Sequence, residues 1–207
     1  MFEITAIQTQ VKDKGRVNIY LDGNFYCGLK AETVFQYKLK VGQKIEQSTL
    51  EEIQFENEKL QALEKAFSYL SMAMKTERQM RDYLTKKGYL PSICDFVVEK
   101  LYYYKLLDDG LYSRQYIKSA SKTKGARRIA LELRQKGIDT EEIDEALTTI
   151  DDAVVRAKEV LEKYMRHKEP TKENLAKAFR HLLGRGFHYD DVKTAMSSYG
   201  LDEEEEF

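Results

Sequence analysis

The sequence predicts a mainly α-helical protein: three tandem three-helix repeats in an elongated array that can curve, preceded by a small N-terminal β-hairpin or β-sheet extension. Three observations carry that expectation. Residues 4–11 and 17–20 alternate apolar and polar side chains, the period of half-buried strands. Beyond about residue 59 the apolar residues return at intervals of 3, 4 and 7, the period of helices. Leu84, Leu133 and Leu182 each stand four residues before a glycine, and Gly88, Gly137 and Gly186 follow one another at intervals of 49 residues.

The extension comes first. Asp22-Gly23 lies between Ile19-Tyr20-Leu21 and Phe25-Tyr26-Cys27, and glycine tolerates the positive φ of a tight hairpin turn. Lys14-Gly15 is a weaker turn between the first two strands. Strands this few and short are marginal alone and need something larger to pack on. Residues 31–47 read as a short helix and a connection punctuated by Gly42, and Ser48 with Glu51 as a capping box opening the next helix.

The repeats follow, and their apolar positions correspond without a gap. Leu63, Tyr112 and Leu161 share one place; Phe67, Tyr116 and Met165 share another; Cys94, Ile143 and Val192 a third. Val98, Leu147 and Met196 correspond as well, and so do Leu101, Ile150 and Tyr199. In the middle repeat Asp108-Asp109 caps a helix to about Lys122, Gly125 opens a second ending at Lys136, and Thr140 caps a third with Glu141 and Glu142 in its first turn. Gly137 supplies the left-handed residue that ends a helix. Thr76 with Gln79 forms a capping box in the first repeat, and Thr171 follows Pro170 in the third. Expected boundaries are 1–58 for the β-rich extension with its short helix, then repeats at 59–107, 108–151 and 152–200, and an acidic tail at 201–207. One short three-helix unit buries little apolar area, so neighbours should stack.

Net charge is only −1, which argues against a bulk polyanion binder, but the middle repeat is split. Residues 111–136 carry Arg114, Lys118, Lys122, Lys124, Arg127, Arg128, Arg134 and Lys136 against Glu132 alone, a net +7. Residues 137–152 carry Asp139, Glu141, Glu142, Asp144, Glu145, Asp151 and Asp152, a net −7. Lys124, Arg127, Arg128 and Arg134 are expected on one side of their helix, opposite Ala126, Ile129, Ala130 and Leu133. Such a patch is either a solvated face with local pairing or a docking surface for an anionic partner, phosphate or acidic protein. The tail, Asp202 to Glu206 and then Phe207, is either a solubilising end or a shield for the basic patch.

The search for chemistry returns nothing. Cys27 and Cys94 are far apart with no CxxC, the usage of a reducing cytoplasm and not of a disulfide or zinc framework. His167, His181 and His188 have no metal-ligand spacing and read as surface or interface residues. Phosphate-loop, dinucleotide and nucleophile-elbow motifs are absent. Asp108-Asp109 and Asp190-Asp191 each precede a helix, where capping explains them. Tyr102-Tyr103-Tyr104 reads as packing between repeats, with a base-stacking platform as the alternative. The start lacks a basic-then-apolar signal, and no apolar stretch approaches 18 residues. The expectation is a cytoplasmic, non-enzymatic monomer that needs no cofactor or metal and touches no membrane.

Lys124 to Ile138, with Gly125, Arg127, Arg128, Glu132, Leu133, Lys136 and Gly137, resembles the signature of the RecX family, regulators of the RecA recombinase. Leu107-Asp108-Asp109 followed by Tyr112 looks like another of its stretches, and Lys86-Lys87-Gly88-Tyr89 and Arg185-Gly186-Phe187 look like its first and third repeat turns. The strand-rich N-terminus resembles the extension of members from Gram-positive bacteria. Two departures stand in the first repeat: Ala73 where an arginine is usual, and Gln79-Met80 where the family has Glu-Leu. The resemblance implies a protein that binds the RecA filament on single-stranded DNA, lies along its groove, and suppresses strand exchange, ATP hydrolysis and coprotease activity. The middle-repeat cations would dock on acidic filament surface or DNA phosphate. The alternative is a direct DNA binder in which one repeat serves as a helix-turn-helix reader.

Overall fold

The structure, a computed structural model, describes residues 1–150 and 152–199; the expected acidic tail and Asp151 lie outside the described residues. The chain divides into two compact units, one of residues 1–73 with 81–103, the other of residues 74–80 with those from 104 onward. No helix among the described residues is long and apolar enough to cross a membrane.

In the first unit, β1 (Phe2–Thr9), β2 (Arg16–Leu21) and β3 (Asn24–Lys30) form an antiparallel meander, and β4 (Lys44–Ile45) pairs with β1, giving the order β3-β2-β1-β4. The expected hairpin is present: Asp22 (φ 47°) and Gly23 (φ 83°) take the two positive-φ positions of a type I′ turn. Between β3 and β4 lies the short α1 (Ala31–Gln36), and after β4 comes α2 (Gln47–Leu70). Ile4, Ile19, Leu21 and Leu29 face Leu50 and Ile53 in one core, the larger partner that the strands require. Asn57 of α2 adds a buried polar tie, its Oδ1 accepting from the Lys30 amide at 2.8 Å.

The Ser48 capping box does not form. The chain leaves β4 already extended at Glu46, so the helix starts at Gln47, one residue ahead of Ser48, and no side chain caps it. Gln47 bonds Glu51 instead, at 3.0 Å. The helix then runs 24 residues through position 58 without a break. Then come α3 (Glu77–Lys86) and α4 (Pro91–Tyr103), tied by a 2.6 Å Arg81–Asp95 ion pair.

The second unit holds α5 (Asp109–Ala120), α6 (Ala126–Gln135) and α7 (Thr140–Leu147), then α8 (Ala153–Met165), α9 (Lys172–Gly184) and α10 (Tyr189–Met196). Each triplet has its own core, with Ile117, Ile129, Leu133 and Ile143 in the middle repeat and Leu161, Phe179, Leu182 and Val192 in the third. Asp108 caps α5 at 2.7 Å and Thr171 caps α9 at 3.3 Å, as expected. Asp139, not Thr140, caps α7: its carboxylate accepts the Glu141 amide at 2.9 Å, which leaves Thr140 as the first helical residue. Likewise Asp190 and Asp191 sit inside the first turn of α10 after an N-cap His188 that makes no side-chain bond. There they face the positive end of the helix dipole. Tyr102, Tyr103 and Tyr104 are 40, 77 and 52% exposed, which corrects the expectation that they pack between repeats.

The three turn glycines repeat in conformation as well as in sequence: Gly88, Gly137 and Gly186 all have φ of 88°. Two of the turns receive the start of the preceding repeat's middle helix. Thr76, ahead of α3, donates its hydroxyl to the Lys136 carbonyl at 2.6 Å, and the Arg78 side chain lies against Gly137. At the next joint, Gly125 donates its amide to the Arg185 carbonyl at 3.0 Å and Arg127 donates its own to Gly186 at 3.2 Å. Thr76 and Gly125 occupy one repeat position, as do Gly137 and Gly186. The same joint is therefore built twice, once from a hydroxyl and once from a bare backbone. At Gly88 the corresponding space is open.

Candidate functional site

The eight cations singled out in the middle repeat do not form one face; the fold sorts them into three sets. The first is paired within the repeat. Lys124 precedes α6 and is not on the helix, because Gly125 is the N-cap. Its ammonium reaches forward to Glu132 at 2.6 Å, and the Arg128 Nε reaches the other oxygen at 3.0 Å. The Tyr116 hydroxyl donates to the same carboxylate at 2.6 Å. Lys136 completes the set, its ammonium 5.4 Å from the Tyr116 ring centroid and 5.8 Å from that of Tyr112.

Glu132 is thus the hub. Burial works against its ionisation, but the hydrogen bonds from Lys124, Tyr116 and Arg128 outweigh it and take the carboxyl down to about 2. The Tyr116 phenol moves the other way, to about 12, through burial first and then its bond to the Glu132 anion. With a carboxylate only 14% exposed facing two cations, this cluster holds α5 to α6 and is not a free docking patch.

The second set is Arg127 and Arg134, seven residues apart on the exposed side of α6 with the exposed Leu131 between them. Ile129, Ala130 and Leu133 are buried on the other side, as expected. The third set is Arg114 and Lys118 on α5 and Lys122 just beyond its end, at four-residue spacing. These three line a cavity with Arg156 of α8. Arg156 was not singled out from the sequence, and only its partners would have revealed it: its NH1 donates to the backbone carbonyls of Ser121 and Lys124, both at 3.4 Å.

The acidic half of the repeat lies elsewhere. Glu141, Asp144 and Glu145 are exposed on α7, the helix that follows the Gly137 turn. Burial and the nearby Asp109 and Asp108 push the Glu142 carboxyl up, with Arg114 opposing. Among the described residues no group of three or more His, Cys, Asp or Glu side chains could hold a metal. His181 stacks on Tyr164 at 4.4 Å between centroids, and burial with Arg185 and Lys168 holds its pKa below the usual value.

Comparison with known proteins accounts for nearly the whole chain. Residues 2–46 match the family description of the regulatory protein RecX N-terminal domain, and residues 62–101, 108–147 and 151–196 match the first, second and third three-helix domains of RecX. The regulatory protein RecX of Clostridium tetani is 30% identical over 201 residues, covering 94% of this chain and 93% of that one. That of Bacillus subtilis is 32% identical over 209 residues, covering 98% of this chain and 79% of its own. A crystal structure described as regulatory protein RecX superposes with a TM-score of 0.70 at 27% identity, over 95% of this chain and all of that one. RecX from Lactobacillus salivarius superposes at 0.61 and 26% identity, over 70% of this chain and 97% of that one.

Proposed function

The chain belongs to the RecX family of regulatory proteins, and on that premise we propose that it binds the RecA filament on single-stranded DNA and inhibits RecA. Inhibition covers strand exchange, ATP hydrolysis and coprotease activity, and follows from docking in the filament groove, where the protein blocks extension or promotes disassembly. The observation that carries the docking face is the outward pair Arg127 and Arg134 on α6, exposed beside Leu131 and backed by a rigid core. Arginines flanking an apolar residue suit an acidic protein surface or a phosphate. Repeats that each make a weak contact with a neighbouring protomer gain affinity by acting together.

For the basic middle repeat, the alternative of a helix-turn-helix DNA reader is disfavoured by the helix it would need. The second helix of that motif enters the major groove N-terminus first. In the middle repeat that helix is α7, whose first turn presents Glu141 and Glu142; phosphates would repel it.

The test is RecA ATP hydrolysis on single-stranded DNA, with the protein titrated in at substoichiometric amounts. A strong fall is expected, and Arg127→Glu with Arg134→Glu should raise the concentration needed by about tenfold or more. Wild-type protein without effect at equimolar amounts would end the filament assignment; unchanged inhibition by the folded double variant would move the docking face elsewhere. Arg128→Ala is the wrong probe, because it disturbs Glu132.

A further inference from the structure

Within the second unit, a cavity of about 500 Å³ opens between the middle and third repeats, and the proposed RecA contact makes no demand on it. Its size is that of a small-molecule site. Among the described residues four cations line it, Arg114, Lys118 and Lys122 from one side and Arg156 from the other, with the carboxylate of Glu159, and Arg114 also faces Glu142. Ile117 and Ile150 give it a small apolar floor, and Ser121 and Thr149 add hydroxyls. Among the described residues no aromatic ring lines it.

The cations are not equivalent. Arg156 is set in place by its bonds to the Ser121 and Lys124 carbonyls, and its guanidinium lies 5.9 Å from the Phe187 ring centroid. A donor positioned in advance loses little freedom when a ligand arrives. Lys118 and Lys122 are exposed, and among the described residues neither has a hydrogen-bonded or ion-paired carboxylate. Placed four residues apart, they repel each other at a cost to the protein, and an anion between them would remove that cost.

We propose that this cavity is an oligophosphate site. It takes the phosphate chain of a nucleotide or a run of nucleic-acid phosphates, with the two lysines as mobile point charges and Arg156 as the fixed fork. Several cations set along one cavity match a chain of phosphates better than one phosphodiester, and with no aromatic ring among its described lining residues a base finds no stacking partner there. Recognition is therefore of phosphate and largely blind to base. The site stands apart from the Arg127 and Arg134 face, and its existence does not depend on RecA.

The experiment is calorimetric titration of the full chain, at low ionic strength, with tripolyphosphate, ATP and GTP. Saturable one-to-one binding is expected, with the three ligands within a few-fold of one another. Lys118→Ala with Lys122→Ala should weaken it by about tenfold per lysine, while Arg127→Ala with Arg134→Ala leaves it unchanged. Competition by a thymidine oligonucleotide would identify nucleic acid as the source of the phosphates; its absence would identify free oligophosphate. No saturable binding at millimolar ligand, undiminished binding by the folded double-lysine variant, or strong preference for one base over tripolyphosphate would overturn the site. Loss of RecA inhibition in the arginine variant with tripolyphosphate binding intact keeps the two proposals separable.

Discussion

The Thr76 hydroxyl donates to the Lys136 carbonyl at 2.6 Å while also accepting the Gln79 amide at 3.2 Å. One oxygen thus starts α3 and fastens it to the turn that ends α6. The Thr76 amide in turn donates to the Gln79 Oε1 at 3.1 Å, so glutamine completes the capping box.

Thr76→Val keeps the shape of the side chain and removes the hydroxyl. It is expected to cost about 1–3 kcal/mol, the cap and the joint being lost together while the Lys136 carbonyl loses a partner. Thr76→Ser should recover most of that. Urea unfolding measures both, and a valine variant as stable as the wild type would show that the joint contributes nothing.

Three glycines, Gly88, Gly125 and Gly186, separate crowding from backbone strain. Gly125 has φ of −80°, which any residue adopts, yet a Cβ there would fall on the Gly186 carbonyl. Gly88 has φ of 88° with open space around it. Gly88→Ala should therefore cost only the left-handed penalty of about 1–2 kcal/mol. Gly125→Ala should cost about 1–3 kcal/mol by overpacking alone. Gly186→Ala, which meets both the strain and the Arg128 backbone, should be the worst of the three. Equal denaturation midpoints for Gly88→Ala and Gly186→Ala would refute a close joint.

Glu132 gives the fold a pH dependence of known sign. Its carboxyl is lowered from 4.5 to about 2 in the folded protein. The stability it contributes is fully present above about 4.5 and lost as pH falls toward 2. Glu132→Gln should be less stable than the wild type at pH 7, by on the order of 1–2 kcal/mol after solvent screening. That gap should narrow as pH falls below about 4.5 and close below about 2. A gap independent of pH would mean that packing, not charge, is what Glu132 supplies.

Period and punctuation made much of this fold legible. The 49-residue recurrence marked the three helical repeats, and Asp22-Gly23, Thr76, Asp108 and Thr171 sit where their chemistry placed them. The helix caps expected at Ser48 and Thr140 were misplaced by two residues and by one, because a neighbour took the position first: the extended Glu46 that follows β4, and the carboxylate of Asp139, which reaches the Glu141 amide. The site was less legible. A helical projection puts Lys124 and Arg128 beside Arg127, but long side chains choose partners by reach, and Glu132 lay within reach of both. Arg156 could not be found from composition, because it is held by carbonyls that every residue carries.

That internal pairing also bears on how strongly ionic strength should govern any contact with nucleic acid. A tally of eight cations would have the middle repeat displace many condensed counterions from a strand. With Lys124 and Arg128 sharing the Glu132 carboxylate and Lys136 turned onto two rings, five remain outside the cluster. With Arg156 of the adjoining cavity added, the logarithm of affinity for single-stranded DNA should fall against the logarithm of salt with a slope no steeper than about −4.2. A steeper line would mean that the Glu132 cluster comes apart on binding and releases its cations to the strand.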